Sequence, residues 1–289
     1  HIETLKWLVS QGLSLSSTRS DGYDAIHSAA YGSQIETLKW LVSQGLSLSS
    51  SATNGYNAIQ AAAERGQIET LKWLVSQGLP LSSTTKNGYN AIHAAAEGGH
   101  IETLKWLVSQ GLSLSSTTKN GFNAIHAAAE KGHIETLKWL VSQGLSLSST
   151  RSDGYDAIHS AAYGSQIETL KWLVSQGLSL SSSATNGYNA IQAAAERGQI
   201  ETLKWLVSQG LPLSSTTKNG YNAIHAAAEG GHIETLKWLV SQGLSLSSTT
   251  KNGYNAIQAA TQAGQLDTLK WLVSQGLSPS QTIPTPNNG

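Results

Sequence analysis

The chain has 289 residues, and its 18 lysines and arginines are matched by 18 aspartates and glutamates, so the formal net charge is zero. Without a basic excess there is no general attraction to phosphates or anionic lipid, which argues against nucleic acid as a partner. Cysteine is absent, which excludes disulfides and thiolate metal sites, and no apolar run approaches the ~20 residues needed to cross a bilayer, so no membrane insertion is expected. Methionine is absent too, and the chain reads as a fragment or a processed product.

In chain order, the string Ile-Glu-Thr-Leu-Lys-Trp-Leu-Val-Ser-Gln-Gly begins at Ile2 and returns at Ile35, Ile68, Ile101, Ile134, Ile167, Ile200 and Ile233, with Leu266 opening a variant. The period is 33 residues, a length that marks stacked repeats rather than a single globular core. Residues 1–17 form the second half of a repeat. Complete repeats follow at 18–50, 51–83, 84–116, 117–149, 150–182, 183–215, 216–248 and 249–281, so 1–281 is expected to be one repeat domain. The tail 282–289, with Pro284 and Pro286, has little to pack with and is expected to be disordered.

Residues 84–116 illustrate the unit. Asn87-Gly88 is a turn dipeptide suited to a tight, hairpin-like finger. Asn90 can cap a short helix from Ala91 to about Glu97, whose Ala94-Ala95-Ala96 permits close helix approach. Gly98-Gly99 ends it. A second helix is expected from Ile101 to about Gln110, with Glu102 in its first turn and Gly111 ending it in a left-handed cap. Ile101, Leu104, Leu107 and Val108 form its apolar stripe and Trp106 lies on another side. A helix with more than one apolar side suits burial between two neighbouring copies.

This pattern resembles the ankyrin repeat over essentially all of residues 1–281. The turn, the first-helix start and the opening of the second helix appear as Asn87-Gly88-Tyr89, Asn90-Ala91-Ile92-His93-Ala94-Ala95-Ala96 and Gly99-His100-Ile101. The resemblance implies an all-α solenoid of stacked helix-turn-helix units with finger-like turns, a concave face of fingers and first helices that engages protein partners, and an intracellular location. Several positions depart from the family pattern. Asp24, Asn57 or Asn90 replaces its Thr and keeps the capping chemistry, while Ala25, Ala58 or Ala91 replaces its Pro. Arg19, Ala52 or Thr85 replaces the acidic residue that begins the finger, so the finger's side-chain hydrogen bonds are expected to be lost. Ser33 and Ser165 replace the glycine between the helices, where a left-handed residue costs roughly 1–2 kcal/mol, and the first helix is expected to end one residue early there.

Residues 1–132 and 133–264 differ at five positions only: Phe122/Tyr254, His126/Gln258, Ala129/Thr261, Glu130/Gln262 and Lys131/Ala263. A four-repeat block has been copied, by recent duplication or in an engineered array. The last repeat carries all five differences together with Gln265, Asp267, Pro279 and Gln281, as expected of a polar C-terminal cap. Residues 1–11 match interior helices and lack such polar changes, so end-to-end self-stacking through that end is a second candidate mode of association.

Between repeats the second helix and its loop barely change, whereas the finger and first helix vary, which places candidate partner contacts there. The charged candidates are Arg19, Arg65, Lys86, Lys119, Lys131, Arg151, Arg197, Lys218 and Lys251. Tyr23, Tyr56, Tyr89, Phe122, Tyr155, Tyr188, Tyr221 and Tyr254 form an aromatic row with two readings, binding anchors or packing between adjacent fingers. Tyr31 and Tyr163 occur in one repeat type and are the sharper recognition candidates.

The nine tryptophans, Trp7 to Trp271, recur uniformly and read as core or inter-repeat packing. Histidines at His27, His93, His126, His159 and His225 and at His1, His100, His133 and His232 alternate with glutamines such as Gln60 and Gln67, which keep hydrogen bonding but not transition-metal ligation, so no metal and no cofactor are expected. Asp24, His27 and Ser28 are the nearest imitation of a catalytic group, and Ala94 follows His93 in the equivalent unit, so no enzyme is expected. The leading reading is a protein-interaction module; the alternative is an elastic or self-stacking spacer.

Overall fold

The structure, a computed structural model, describes residues 2–278. Its contacts group into two compact units, one ending at Ser146 and the other beginning at Leu147. In the first unit the helices are α1 (Ile2–Ser10), α2 (Ala25–Tyr31), α3 (Ile35–Ser43), α4 (Ala58–Glu64), α5 (Ile68–Ser76), α6 (Ala91–Glu97), α7 (Ile101–Ser109), α8 (Ala124–Lys131) and α9 (Ile134–Ser142). The second contains α10 (Ala157–Tyr163), α11 (Ile167–Ser175), α12 (Ala190–Glu196), α13 (Ile200–Ser208), α14 (Ala223–Gly230), α15 (Ile233–Ser241), α16 (Ala256–Gln262) and α17 (Leu266–Ser274). Even-numbered helices are the first of each pair and odd-numbered ones the second. The expected tail at 282–289, together with Pro279 and Gln281, lies outside the described residues.

Each first helix begins at its predicted cap. In α6 the Asn90 carboxamide oxygen accepts from the backbone N–H groups of Ile92 and His93, at 3.0 and 3.3 Å, satisfying donors that a helix start leaves open. The alanines then do what small side chains permit. Within each unit the first helices stack directly on one another, α2 on α4, α4 on α6, α6 on α8, and α10 through α16 likewise. Ala94, Ala95 and Ala96 are fully buried in that stack. The second helices lie mainly against their own first helix.

The stripe on the second helix differs from expectation at one position. Leu104 and Leu107 are fully buried, but Val108 is 39% exposed and Thr103 is buried instead. One helical step beyond Leu107, Val108 turns away from the first helix, whereas Thr103 shares the inward edge with Leu104. The tryptophans of α3 to α17 are half-buried rather than enclosed, and Trp7 is 60% exposed on α1, which has no buried residue.

The fingers also correct an expectation. Arg19 N–H donates to the Tyr23 carbonyl and Gly22 N–H to the Arg19 carbonyl, at 2.8 and 2.9 Å, with Gly22 at φ 84°. This is a three-residue hairpin loop closed by a left-handed residue. A Cβ on Gly22 would stand 2.9 Å from Thr53 N, so the next finger needs that space. Side-chain hydrogen bonds inside the turn are kept, not lost. Thr85 Oγ1 accepts from Tyr89 N at 3.1 Å, and where the finger begins with Arg19 or Ala52 the acceptor is Asp21 or Asn54 Oδ1, at 3.2 and 2.9 Å. A hydroxyl at the first position or a short carbonyl two residues on reaches the same amide.

Ser33 and Ser165 adopt the left-handed conformation, φ 57° and 62°. The helices before them end where α4 and α6 end, although those are followed by Gly66 and Gly99, so serine does not set the helix end. Their hydroxyls meet Thr70 and Thr202 of the next repeat, at 3.4 and 3.0 Å.

Candidate interaction groove

The fingers of a unit are tied in series. Thr53 N–H donates to the Asp21 carbonyl, Lys86 to Asn54 and Lys119 to Asn87, each at 2.8 Å, and Thr185, Lys218 and Lys251 repeat the pattern in the second unit. This spacing brings the aromatic row together: Tyr23 stacks on Tyr56 with ring centroids 5.4 Å apart, and Tyr155 on Tyr188 at 5.1 Å. In the first unit the row lines a cleft of about 590 Å³ with Glu64, Lys86, Asn87, Glu97 and Asn120 among its walls.

Of the two readings of the row, packing between adjacent fingers is the one the geometry displays. Tyr56 and Tyr188 are buried, and Tyr23, Tyr89, Phe122, Tyr155, Tyr221 and Tyr254 are half-buried, so each ring packs on its neighbours and shows an edge or face to the groove. Their hydroxyls reveal partners that sequence reasoning missed. Tyr56 donates to Glu64, Tyr89 to Glu97, Tyr188 to Glu196 and Tyr221 to Glu229, at 2.5 to 2.6 Å. Each pair spans the same eight residues, from finger to the end of the first helix, and that recurrence was a readable signal. Tyr254 donates to Gln262 at 3.1 Å, where the carboxylate is replaced by its amide.

Burial first, and the adjoining carboxylate next, push the Tyr89 and Tyr188 hydroxyls well above their ordinary range, so they remain neutral donors. Burial also raises the Glu64 and Glu196 carboxyls, although the tyrosine hydrogen bond opposes it.

The predicted cations are placed differently from one another. Arg19 is exposed, 3.1 Å from Asp21 and 5.5 Å from the Tyr23 ring centre. Arg151 is half-buried, 2.6 Å from Asp153 and 4.6 Å over Tyr155. Arg65 covers Tyr31, and Arg197 covers Tyr163, each at 4.7 Å. Tyr31 is exposed and Tyr163 half-buried, so the two sharper candidates lie beneath guanidinium groups. Lys86, Lys119, Lys218 and Lys251 are exposed on the fingers. Lys131 instead reaches Glu97, 3.0 Å away in the preceding repeat.

The histidines tie repeats to each other. His27 Nε2 meets the Tyr56 carbonyl at 3.0 Å and His93 Nε2 that of Phe122 at 3.1 Å, forward into the next finger. His133 Nε2 meets the Glu97 carbonyl at 2.9 Å, backward to the previous first helix, and Gln67 does the same to Tyr31 at 2.8 Å. Asp24, His27 and Ser28 close on their own helix start: Asp24 Oδ1 lies 2.7 Å from His27 Nδ1, and Ser28 donates to the Asp24 carbonyl. Burial would raise the Asp24 carboxyl, but hydrogen bonds from His27 and Ser50 outweigh it and hold it low. Among the described residues no three His, Asp or Glu side chains gather as a metal site, and no helix is long and apolar enough to cross a membrane.

A family model described as ankyrin repeats (3 copies) matches residues 1–84, 62–151, 144–217 and 191–283, nearly the whole chain. No curated protein matches it. Ankyrin repeats are generally protein-interaction modules, and the family is typically non-catalytic.

Proposed function

The chain belongs to the ankyrin-repeat family, and on that premise we propose that it is a protein-interaction module whose partner lies along the groove of fingers and first helices. One observation carries this reading. In the first unit, side chains that change from repeat to repeat flank a cleft lined by the aromatic row, while the second helices stay nearly constant. Half-buried tyrosines backed by carboxylates are rigid and amphipathic, so they supply contact area at little cost in side-chain freedom. Exposed Lys86 and the Arg65-covered Tyr31 then set what each stretch of groove accepts.

The test is selection of a binder from a random displayed peptide library, followed by its affinity for variants. Tyr31→Ala and Lys86→Ala are expected to weaken binding tenfold or more, about 1.4 kcal/mol each. Lys105→Ala, on the exposed side of α7 where it pairs with Glu102, is expected to leave affinity unchanged. A panel of finger and first-helix substitutions with no effect would overturn the reading.

A further inference from the structure

The two near-identical blocks are an internal comparison for one position in the groove. In the first, the Lys131 ammonium sits 3.0 Å from Glu97 Oε1 while Tyr89 holds the other carboxylate oxygen. In the second, the equivalent of Lys131 is Ala263, and the equivalent of Glu97 is Glu229, whose Oε2 accepts from Tyr221. Glu229 is exposed where Glu97 is only half-exposed, because no lysine chain lies across it. Glu196, the equivalent of Glu64, stands beside it and accepts from Tyr188. Among the described residues no ammonium or guanidinium lies within ion-pair distance of Glu196 or Glu229. Glu130 is also replaced, by Gln262, so the change removes one charge of each sign and leaves the two carboxylates without their lysine.

We propose that the second block's groove takes the ammonium of a lysine side chain from a protein partner, on the exposed carboxylate of Glu229, in the place that Lys131 fills on Glu97 in the first block. The inference rests on the groove being the interaction face. A cation is favoured for two physical reasons. Carboxylates so placed repel each other, and Glu229 is one cause of the raised Glu196 carboxyl. The same carboxylate position in the first block already accepts an ammonium, that of Lys131 at 3.0 Å from Glu97. An exposed ion pair alone is weak, so a single lysine is expected to bind at millimolar affinity and to act as one anchor within a longer contact.

The experiment is calorimetric titration, at low salt, of an acetylated and amidated pentapeptide with a central lysine among alanines, against its norleucine counterpart. Wild-type protein is expected to bind one lysine peptide and no norleucine peptide. Ala263→Lys, which installs the first block's own lysine at an exposed position, is expected to weaken binding at least tenfold. Lys131→Ala is expected to open the first block and raise the stoichiometry to two. No saturable heat up to about 10 mM peptide, a range that detects millimolar binding, or equal binding by norleucine or by the Ala263→Lys protein, would overturn the proposal. Failure of the lysine peptide to bind, with a library binder still weakened by Tyr31→Ala, would remove the lysine site and leave the interaction reading standing.

Discussion

At the scale of single residues, the glycine between helices is coupled to the residue that opens the second helix of the next repeat. A Cβ on Gly66, at φ 73°, would lie 2.6 Å from the His100 ring. Ser33 occupies the equivalent left-handed position and faces Gln67, a flexible amide, in place of a ring. Gly66→Ser is therefore expected to cost roughly 1–2 kcal/mol for the backbone and more for displacing the imidazole. The double variant Gly66→Ser/His100→Gln should recover that second part, read from urea midpoints by circular dichroism. Equal losses in single and double variants would show that the two positions are independent. The backbone cost of Ser33 was legible in the sequence, but its compatibility with Gln67 was not, because the two residues meet only when repeats stack.

At the scale of elements, His93 joins the start of α6 to the next finger. Its Nδ1 lies 2.7 Å from Asn90 Oδ1 and 3.1 Å from Asn90 N, and its Nε2 donates to the Phe122 carbonyl at 3.1 Å. Burial pushes the imidazole down to about 4, with the Phe122 and Ser116 carbonyls opposing. The unfolded ring titrates near 6.5, so below that pH the unfolded chain binds the proton first. The contribution is full above about pH 6.5 and is lost as pH falls towards 4, about 2–3 kcal/mol by pH 4.5. His93→Gln should remove this share of the pH dependence, since Gln60 already caps its helix through Asn57 N–H and reaches the Ser83 carbonyl without titrating. Urea midpoints at pH 7.5 and 4.5 for both proteins check this, and an unchanged difference would refute the role of His93. The capping residue was readable because a cap needs only a neighbour within one turn. The forward bond of His93 was not, since its acceptor lies 29 residues away.

At the scale of the whole molecule, stability is distributed among neighbours instead of concentrated in one core. Leu104 is fully buried on α7, and Leu104→Ala is expected to cost 2–5 kcal/mol. Because each repeat leans only on adjacent ones, that loss should fall on the repeats around it. The urea transition is expected to broaden and its slope to decrease, by tryptophan fluorescence and circular dichroism together. A transition that shifts as a unit with its slope intact would contradict nearest-neighbour coupling. The same additive logic makes the groove adjustable: finger and first-helix residues can change while the buried leucines and alanines behind them stay the same.

What the sequence by itself determined was the period, the two helices of each repeat with their caps, the glycine-closed finger and the family, all of which depend on residues within a turn of one another or on repetition. Only the tertiary structure decided that Thr103 rather than Val108 faces inward, that tyrosine hydroxyls close on Glu64 and Glu97, and that Lys131 crosses to Glu97. Local signals are set by short-range backbone geometry, which each residue carries with it. Pairings across eight or more residues depend on how closely the alanine faces let successive helices approach, a distance that exists only once the repeats have stacked.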